Sequence, residues 1–145
     1  MRTILVGAVT LLLALTCLTG HGQDKKNDPV AKELAKWQGK WTGQSGGAQG
    51  WTLVIAGDKL ESYQETLKLK HNGVLKIDPT KTPKTWDYTI TEGPEKGLLT
   101  LGIYELKGDE LTLCYVEGGD KARPTEFAVG GKGGEYLQVW KREKR

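Results

Sequence analysis

The stretch Gly39-Lys40-Trp41 opens a region in which short runs of alternating apolar and polar side chains are separated by turn residues. A glycine two residues before a tryptophan, at the start of such a region, looks like the opening of a small antiparallel barrel. The alternation continues for about a hundred residues, which is typical of an all-β domain. The apolar residues of two such runs are Trp51, Leu53 and Ile55, and Trp86, Tyr88 and Ile90.

Turn residues divide this region into about nine short strands. Asn72-Gly73 is the strongest two-residue hairpin signal, because both residue types tolerate a positive φ. Pro79 and Pro83 mark a connection, since proline lacks the amide hydrogen that a central strand donates. The other turns are predicted at residues 57–58, 92–97, 108–109, 118–119 and 130–134.

The last part of the chain is predicted to contribute a short strand over residues 124–129 and a final strand over 136–141. The strongly apolar runs 98–106 and 111–116 are predicted to form the centre of the core. A meander with short connections leaves two edge strands, and pairing the last strand with the first removes both. We therefore predict an all-β fold, a single up-and-down antiparallel barrel of about eight or nine strands.

One short helix is predicted before the barrel, with Asp28 as its N-cap and Pro29 at its first helical position. Its apolar face would be formed by Val30, Leu34 and Trp37, and the residues expected to face water are Lys32, Glu33 and Lys36. Because an apolar face must be buried and a barrel end is the nearest surface, we predict that this helix caps one end of the barrel.

Residues 1–22 have the features of a secretory signal, with Arg2 before an apolar run and small residues near position 22. The apolar run has about 15 residues, fewer than the roughly 20 that span a bilayer. We therefore expect an exported protein, periplasmic or secreted, without a transmembrane segment in the mature chain. Two alternatives are a retained membrane anchor and a lipoprotein acylated at Cys17.

The remaining sequence is predicted to comprise a linker and short helix at residues 23–36 and one barrel domain at residues 37–143. Without residues 1–22 the chain is nearly neutral, and its lysines are scattered among acidic residues. Nucleic-acid binding requires clustered positive charge, so we expect no nucleic-acid partner.

The residue types needed for catalysis or metal binding are scarce. After residue 22 the chain has one cysteine, Cys114, which excludes an internal disulfide and is expected to pack as a small hydrophobe in a strand. His71 is the one remaining histidine, too few for a Ser-His-Asp set or a zinc site. The glycines fall at turns and form no phosphate-binding loop. We expect no enzyme activity, no metal site and no cofactor.

Five segments resemble, in order and spacing, motifs of a lipocalin-like domain family of uncharacterised exported proteins that is expanded in planctomycete bacteria. They are IDPTKTPKTWD (77–87), TEGPEKG (91–97), GIYEL (102–106), GDELTLCY (108–115) and RPTEF (123–127). The resemblance extends over residues 37–143 and implies a calycin-type barrel without an assigned reaction. Two departures are Trp86, where the family commonly has an aliphatic residue, and a short glycine-rich segment at 44–50.

The resemblance also implies structural roles for Gly39, Trp41 and Arg142. In the wider lipocalin group, the tryptophan of a Gly-x-Trp opening packs at the closed end of the barrel beneath a basic residue of the last strand. Arg142, or Lys141, would make that cation–π contact with Trp41. The alternative is that Trp41 is simply a core residue and Arg142 a solvated charge.

A barrel of about eight strands is just wide enough inside to be filled by side chains or to hold one small molecule. The expected ligand-binding residues are Trp51, Tyr63, Tyr88, Tyr104, Tyr115 and Arg123. The aromatic rings would give apolar contact while phenol groups orient the ligand, and ordinary packing is the alternative. Arg123 would meet an anionic ligand at the rim or position a loop through hydrogen bonds to carbonyl groups.

The favoured function is the binding of a small hydrophobic or amphipathic molecule, without catalysis. The alternative is a protein-interaction or inhibitor module, for example with an envelope protein as partner, that uses the loops and a barrel end while its interior is packed. A cavity of about 300 Å³ or more would favour the first function. A filled barrel with an exposed apolar patch would favour the second.

Overall fold

A closed barrel of eight antiparallel strands follows one short helix in the computed structural model, which describes residues 28–45, 48–131 and 133–144. The helix is α1 (Pro29–Trp37), and the strands are β1 (Gly39–Ser45), β2 (Ala48–Ala56), β3 (Lys59–Gln64), β4 (Leu69–Asp78), β5 (Thr85–Ile90), β6 (Leu99–Lys107), β7 (Glu110–Glu117) and β8 (Tyr136–Arg142). The signal and linker predictions for residues 1–27, Cys17 included, concern sequence outside the described residues. Within the described part of the chain, no helix is long and apolar enough to cross a membrane.

Every strand pairs with its neighbours in sequence, and β8 pairs with β1 to close the barrel. Trp41 lies opposite Arg142, and Gly43 lies opposite Trp140 in that closing ladder. The predicted up-and-down barrel is therefore confirmed. Gly43 allows the closure, because a Cβ at this position would lie 2.7 Å from the Trp140 ring.

The two ends of the barrel differ. The closed end carries α1, the turns at 57–58 and 108–109, and the 79–84 connection. The open end carries the turns at 65–68 and 91–98 and the start of the long β7–β8 connection. Side chains fill the interior towards the closed end, where the fully or nearly fully buried residues are Trp37, Trp41, Ile55, Leu75, Ile77 and Tyr104.

The prediction of a hairpin turn at Asn72-Gly73 is wrong, because both residues lie inside β4. Gly73 pairs with Leu60, and the chain reverses instead at residues 65–68. A Cβ at Gly73 would collide with the Thr89 carbonyl oxygen and the Tyr88 ring. The glycine therefore serves close packing inside the barrel and not a turn.

The predicted strand over residues 124–129 is also absent, which reduces the count from nine strands to eight. Residues 118–131, called the outer segment below, run over the outer face of β7, and the carbonyl groups of Glu126 and Ala128 lie 3.5 and 3.4 Å from the Cys114 sulfur. The segment covers an outward-facing apolar group. Its members are Ile103, Cys114 and Val116, each at most 1% exposed.

The helix begins where the sequence predicted, with Asp28 as its N-cap and Pro29 at its first position. The Asp28 side chain accepts a hydrogen bond from the Val30 amide at 2.9 Å, which satisfies one free N–H of the first turn. After Trp37, the Gln38 side chain donates to the Gly57 carbonyl at 3.0 Å and accepts from the Gly57 amide at 2.7 Å. These two bonds attach the end of the helix to the β2–β3 turn, so α1 caps the closed end.

Trp41 is completely buried beneath α1. Its indole N–H donates to the Trp37 carbonyl at 2.8 Å, and the guanidinium carbon of Arg142 lies 4.1 Å from the centre of its ring. The predicted cation–π contact is present, and Arg142 makes it. Lys141 instead pairs with Glu110.

Arg142 also connects three other parts of the closed end. Its two terminal nitrogens donate to the carbonyls of Lys36 and Gln38, both at 2.6 Å, and its Nε donates to the Asp109 carboxylate at 2.9 Å. Gly39 lies beside it, since a Cβ at this position would be 3.6 Å from a terminal nitrogen of Arg142, and Gly39 has φ = 116°, a conformation that favours glycine. One arginine therefore joins β8 to α1 and to the β6–β7 turn.

The expectation that Glu33 faces water is wrong, since its side chain is only 7% exposed. Glu33 lies one helical turn before Trp37, on the face that packs against the barrel. Its carboxylate contacts Lys36 at 2.8 Å and Lys84 at 2.7 Å, and it accepts a hydrogen bond from the Tyr104 hydroxyl at 3.3 Å. Burial opposes ionisation, but the hydrogen bonds and charges of the two lysines outweigh it and lower the pKa of Glu33.

Replacement of Trp41 by alanine tests the packing of the closed end. Because the ring is fully buried, we expect Trp41→Ala to lower the free energy of unfolding by about 3–5 kcal/mol. Phe127→Ala is the matched control, since Phe127 is 41% exposed, and we expect a loss below about 1 kcal/mol. Urea unfolding followed by circular dichroism measures both. A loss below about 1 kcal/mol for Trp41→Ala would contradict this account.

Glu33 gives the closed end a pH dependence. Because folding lowers its pKa, its contribution to stability is fully present above the ordinary value of 4.5 and is lost as the pH falls through the lower folded-state value. We expect Glu33→Gln to destabilise the protein by about 1–3 kcal/mol at neutral pH, with a smaller difference from wild type below about pH 4. Urea unfolding at several pH values measures this, and Glu105→Gln, which removes an exposed carboxylate, should show a much smaller effect. A difference that is constant with pH would contradict the assignment.

Candidate functional site

The barrel interior is not filled at the open end, where a cavity of about 170 Å³ remains. It is called the open-end cavity below. Its apolar floor and walls are formed by Leu53, Leu60, Trp86, Ile90, Leu113 and Trp140. Its polar lining residues are Ser62, His71, Glu95, Thr100, Glu117 and Gln138.

The strand register explains this arrangement. On β8, Trp140 and Gln138 both point inward, and Gln138 lies two residues nearer the open end. On β7, Leu113, Tyr115 and Glu117 follow the same order from the interior to the mouth. Alternate residues of each strand face the interior, so the lining changes from apolar to polar towards the mouth.

Three of the aromatic residues predicted to bind a ligand, Trp51, Tyr88 and Tyr115, line the open-end cavity. The Trp51 ring is stacked on the His71 ring, with centroids 6.4 Å apart and an interplanar angle of 10°. The Trp51 indole N–H is buried and has no acceptor among the described residues. An unpaired buried donor costs free energy, so an acceptor on a ligand would stabilise this site.

The two tyrosines of the cavity are held by hydrogen bonds. The Gln138 side chain donates to the Tyr115 hydroxyl at 2.6 Å and accepts from the Trp140 indole at 3.2 Å. Burial, and secondarily the charge of Glu61, raises the pKa of Tyr88 above its usual range. Tyr88 is therefore a neutral phenol at physiological pH, suited to orienting a ligand and not to accepting a proton.

The mouth of the open-end cavity carries two carboxylates. Glu95, in the β5–β6 turn, lies 3.0 Å from Nε2 of His71, and Glu117 ends β7 as an exposed side chain. Within the part of the chain that the structure describes, Glu117 has no ion pair. The described lining residues include no lysine and no arginine.

Ser62, His71 and Glu95 lie together at this mouth, an arrangement that the sequence did not indicate. Ser62 is paired directly with His71 across β3 and β4. A serine nucleophile requires its base within hydrogen-bond distance, and in the described structure no hydrogen bond joins the Ser62 hydroxyl to the imidazole. The three residues thus share a site without the geometry of a catalytic triad.

Tyr63 and Tyr104 lie away from the open-end cavity. Tyr63 alternates with the inward-facing Ser62 and borders a shallow outer surface beside Lys70. Tyr104 faces inward at the closed end, where its ring lies 4.8 Å from the Trp37 ring at 79°. The sequence identified both as aromatic strand residues, but the end of the barrel and the face of the sheet that each occupies depend on the exact strand register.

Arg123 fixes the outer segment to the barrel wall. One terminal nitrogen donates to the Trp86 carbonyl at 2.9 Å and to the Gly102 carbonyl at 2.7 Å, and the other lies 2.6 Å from the Asp87 carboxylate. These contacts fit the loop-positioning role. Arg123 is not among the residues that line the open-end cavity.

Cys114 lies under the outer segment and is completely buried. Burial raises the pKa of its thiol. A thiol with a raised pKa is a weak nucleophile, which agrees with a packing role. Among the described residues, no three His, Cys, Asp or Glu side chains converge as metal ligands would.

The residues that sequence reasoning missed in this site are mainly Leu113, Trp140, Gln138 and Glu95. The closure of β8 on β1 places Trp140 opposite Gly43, and only this register shows that its ring faces the interior. Glu95 lies in a turn, where no periodicity indicates direction. Alternation along β7 and β8 was the one signal that pointed to Leu113 and Gln138.

Fold and site together define a closed eight-stranded antiparallel barrel with one filled end and an aromatic-lined cavity at the other. No family model, curated protein or solved structure matches the chain. The function of the protein must therefore be inferred from the side chains of the cavity and its mouth.

The role of Arg123 predicts a change in thiol reactivity. Arg123→Ala removes the bonds that hold the outer segment, so we expect Cys114 to react with a disulfide reagent about tenfold faster or more. Lys121→Ala, an exposed change in the same segment, is the control and should leave the rate unchanged. The absorbance of the released thiolate measures the rate. Equal rates for the Arg123→Ala variant and wild type would contradict the role assigned to Arg123.

Proposed function

We propose that this chain is an extracytoplasmic, lipocalin-like barrel protein that binds a small hydrophobic or amphipathic molecule in the open-end cavity and catalyses no reaction. The observation that carries the proposal is the cavity itself, which is walled by aromatic side chains inside a closed barrel. The lipocalin-like assignment is supported by the resemblance of five sequence segments. The extracytoplasmic location is supported by the signal-like sequence of residues 1–22.

The size of the cavity limits the ligand. At about 170 Å³ it does not reach the roughly 300 Å³ that was expected to favour ligand binding and that is typical of sites for drug-sized ligands. It is close to an engineered apolar cavity of about 150 Å³ that binds benzene. The proposed ligand is therefore a molecule with about one ring or a short branched chain, and not a long lipid.

The chemistry of the lining supports binding over catalysis. Tyr88 stays protonated, and His71 is paired with Glu95 without a hydrogen bond to Ser62. The buried Trp51 donor and the Tyr115–Gln138 pair would orient a polar group of the ligand. Hydrolysis of p-nitrophenyl acetate that is abolished by Ser62→Ala would overturn the non-catalytic part of the proposal.

A protein-interaction module remains the second candidate. The observation in its favour is the exposure of Leu67 (54%) and Leu69 (43%) beside the β3–β4 turn at the open end. The filled closed half of the barrel is also compatible with it. This module would not require the open-end cavity to be accessible to small molecules.

Titration with toluene, a neutral apolar probe, tests the proposed function. We expect saturable amide chemical-shift changes at cavity residues such as Leu53 and Leu113 in two-dimensional NMR spectra. Ser62→Phe would place a ring in the cavity, and we expect it to abolish these changes without lowering the free energy of unfolding. Thr89→Phe, on the outer face of β5, is the matched control and should still bind toluene.

Two results would count against a ligand-binding cavity. One is the absence of saturable shifts in the wild-type protein. The other is binding that persists unchanged in a folded Ser62→Phe variant. Either result would favour the protein-interaction module, whose exposed leucines lie outside the cavity.

A further inference from the structure

We infer that the open-end cavity selects a small organic cation, a molecule of about one ring that carries a single ammonium group. This inference rests on the proposed function and adds the charge of the ligand to it. It is argued from the charges at the mouth and from the aromatic wall of the cavity.

The charge at the mouth is the first observation. Glu95 and Glu117 both line the open-end cavity, and the described lining residues contain no lysine or arginine to neutralise them. Lys96 follows Glu95 in the same turn but is not a lining residue. An anionic ligand would meet two like charges here, whereas an ammonium group would lie near two opposite charges.

The aromatic wall is the second observation. The rings that line the cavity are Trp51, Trp86, Tyr88, Tyr115 and Trp140. The face of an aromatic ring attracts cations, most strongly in tryptophan, and rings around a cavity are a common way of binding alkylammonium groups. The aromatic wall and the carboxylates at the mouth therefore both favour a positively charged ligand.

His71 is the one basic side chain among the described residues that line the cavity. Its ring is stacked on Trp51 and bonded to Glu95, so it occupies one side of the mouth. Glu117 projects from a different strand, β7, and has no ion pair in the described part of the chain. An ammonium group near Glu117 would therefore not displace an existing partner.

A metal ion fits the site less well. Two carboxylates are too few to replace the hydration shell of a divalent cation. Across the described residues, no cluster of three potential metal ligands exists. An organic cation instead brings an apolar body that fills the floor formed by Leu53, Leu113 and Trp140.

Three probes of similar shape separate charge from size: benzylammonium, benzyl alcohol and benzoate. We expect calorimetry at about pH 8 to give benzylammonium the lowest dissociation constant. The expected preference over benzyl alcohol is about three- to tenfold, with benzoate weakest. Raising the salt concentration from about 20 to about 500 mM should reduce the preference, since the carboxylates at the mouth are exposed.

The double variant Glu95→Gln/Glu117→Gln should bind benzylammonium and benzyl alcohol with nearly equal affinity. Glu65→Gln is the matched control, because Glu65 is a carboxylate at the open end that does not line the cavity, and it should retain the preference. Ser62→Phe should abolish binding of all three probes. Cation binding that survives in a folded Ser62→Phe protein would locate it outside the cavity and overturn the inference.

The outcomes distinguish this inference from the proposed function. If benzyl alcohol and toluene bind but benzylammonium shows no preference, the cavity binds ligands and the charge selection is wrong. A preference that persists in the double variant would also refute the role of the two glutamates. If toluene and all three benzyl probes fail to bind, the proposed function and this inference fail together.

Discussion

The closed end depends on Arg142, which contacts β1, the end of α1 and the β6–β7 turn. Its guanidinium lies over the Trp41 ring, donates to two carbonyl groups at the end of α1 and pairs with Asp109 in the β6–β7 turn. Because β8 must lie beside β1 for these contacts to form, the same residue that covers the core also fixes the ladder that closes the sheet. Barrel closure and helix docking therefore depend on the same side chain. No disulfide supports either of them among the described residues, whose one cysteine is free.

The division between a filled end and a hollow end follows from this constraint. Trp37, Trp41 and Tyr104 occupy the interior beneath the helix, and Glu33 attaches the helix to the 79–84 connection through Lys84. Among the described residues no helix covers the opposite end, where inward-facing side chains become more polar towards the mouth. Stability and the proposed binding thus belong to different ends of one barrel, so changes at the mouth need not weaken the fold.

Sequence reasoning predicted the architecture well because the helix and most turns depend on local patterns, and closure follows from pairing the two edge strands of a meander. It failed at two residues that serve packing instead of local conformation. Gly73 leaves room for the Tyr88 ring. Glu33 is buried against the barrel, where it pairs with Lys36 on the next helical turn and with Lys84, which is distant in sequence. The site was predicted only in part, since Trp51, Tyr88 and Tyr115 line the cavity whereas Tyr63 and Tyr104 do not. The face that a side chain occupies, and its distance from the barrel mouth, depend on the strand register, which alternation alone does not determine. Turn residues such as Glu95 show no periodic pattern at all.

The distribution of tryptophan has a practical consequence. Of the five indoles in the chain, Trp51, Trp86 and Trp140 border the hollow half, whereas Trp37 and Trp41 are sealed beneath the helix. We expect intrinsic emission from the first group to change when a molecule occupies the cavity, while emission from the second group reports the integrity of the packed half. The native protein therefore contains two built-in optical reporters, one for each end, without any added label.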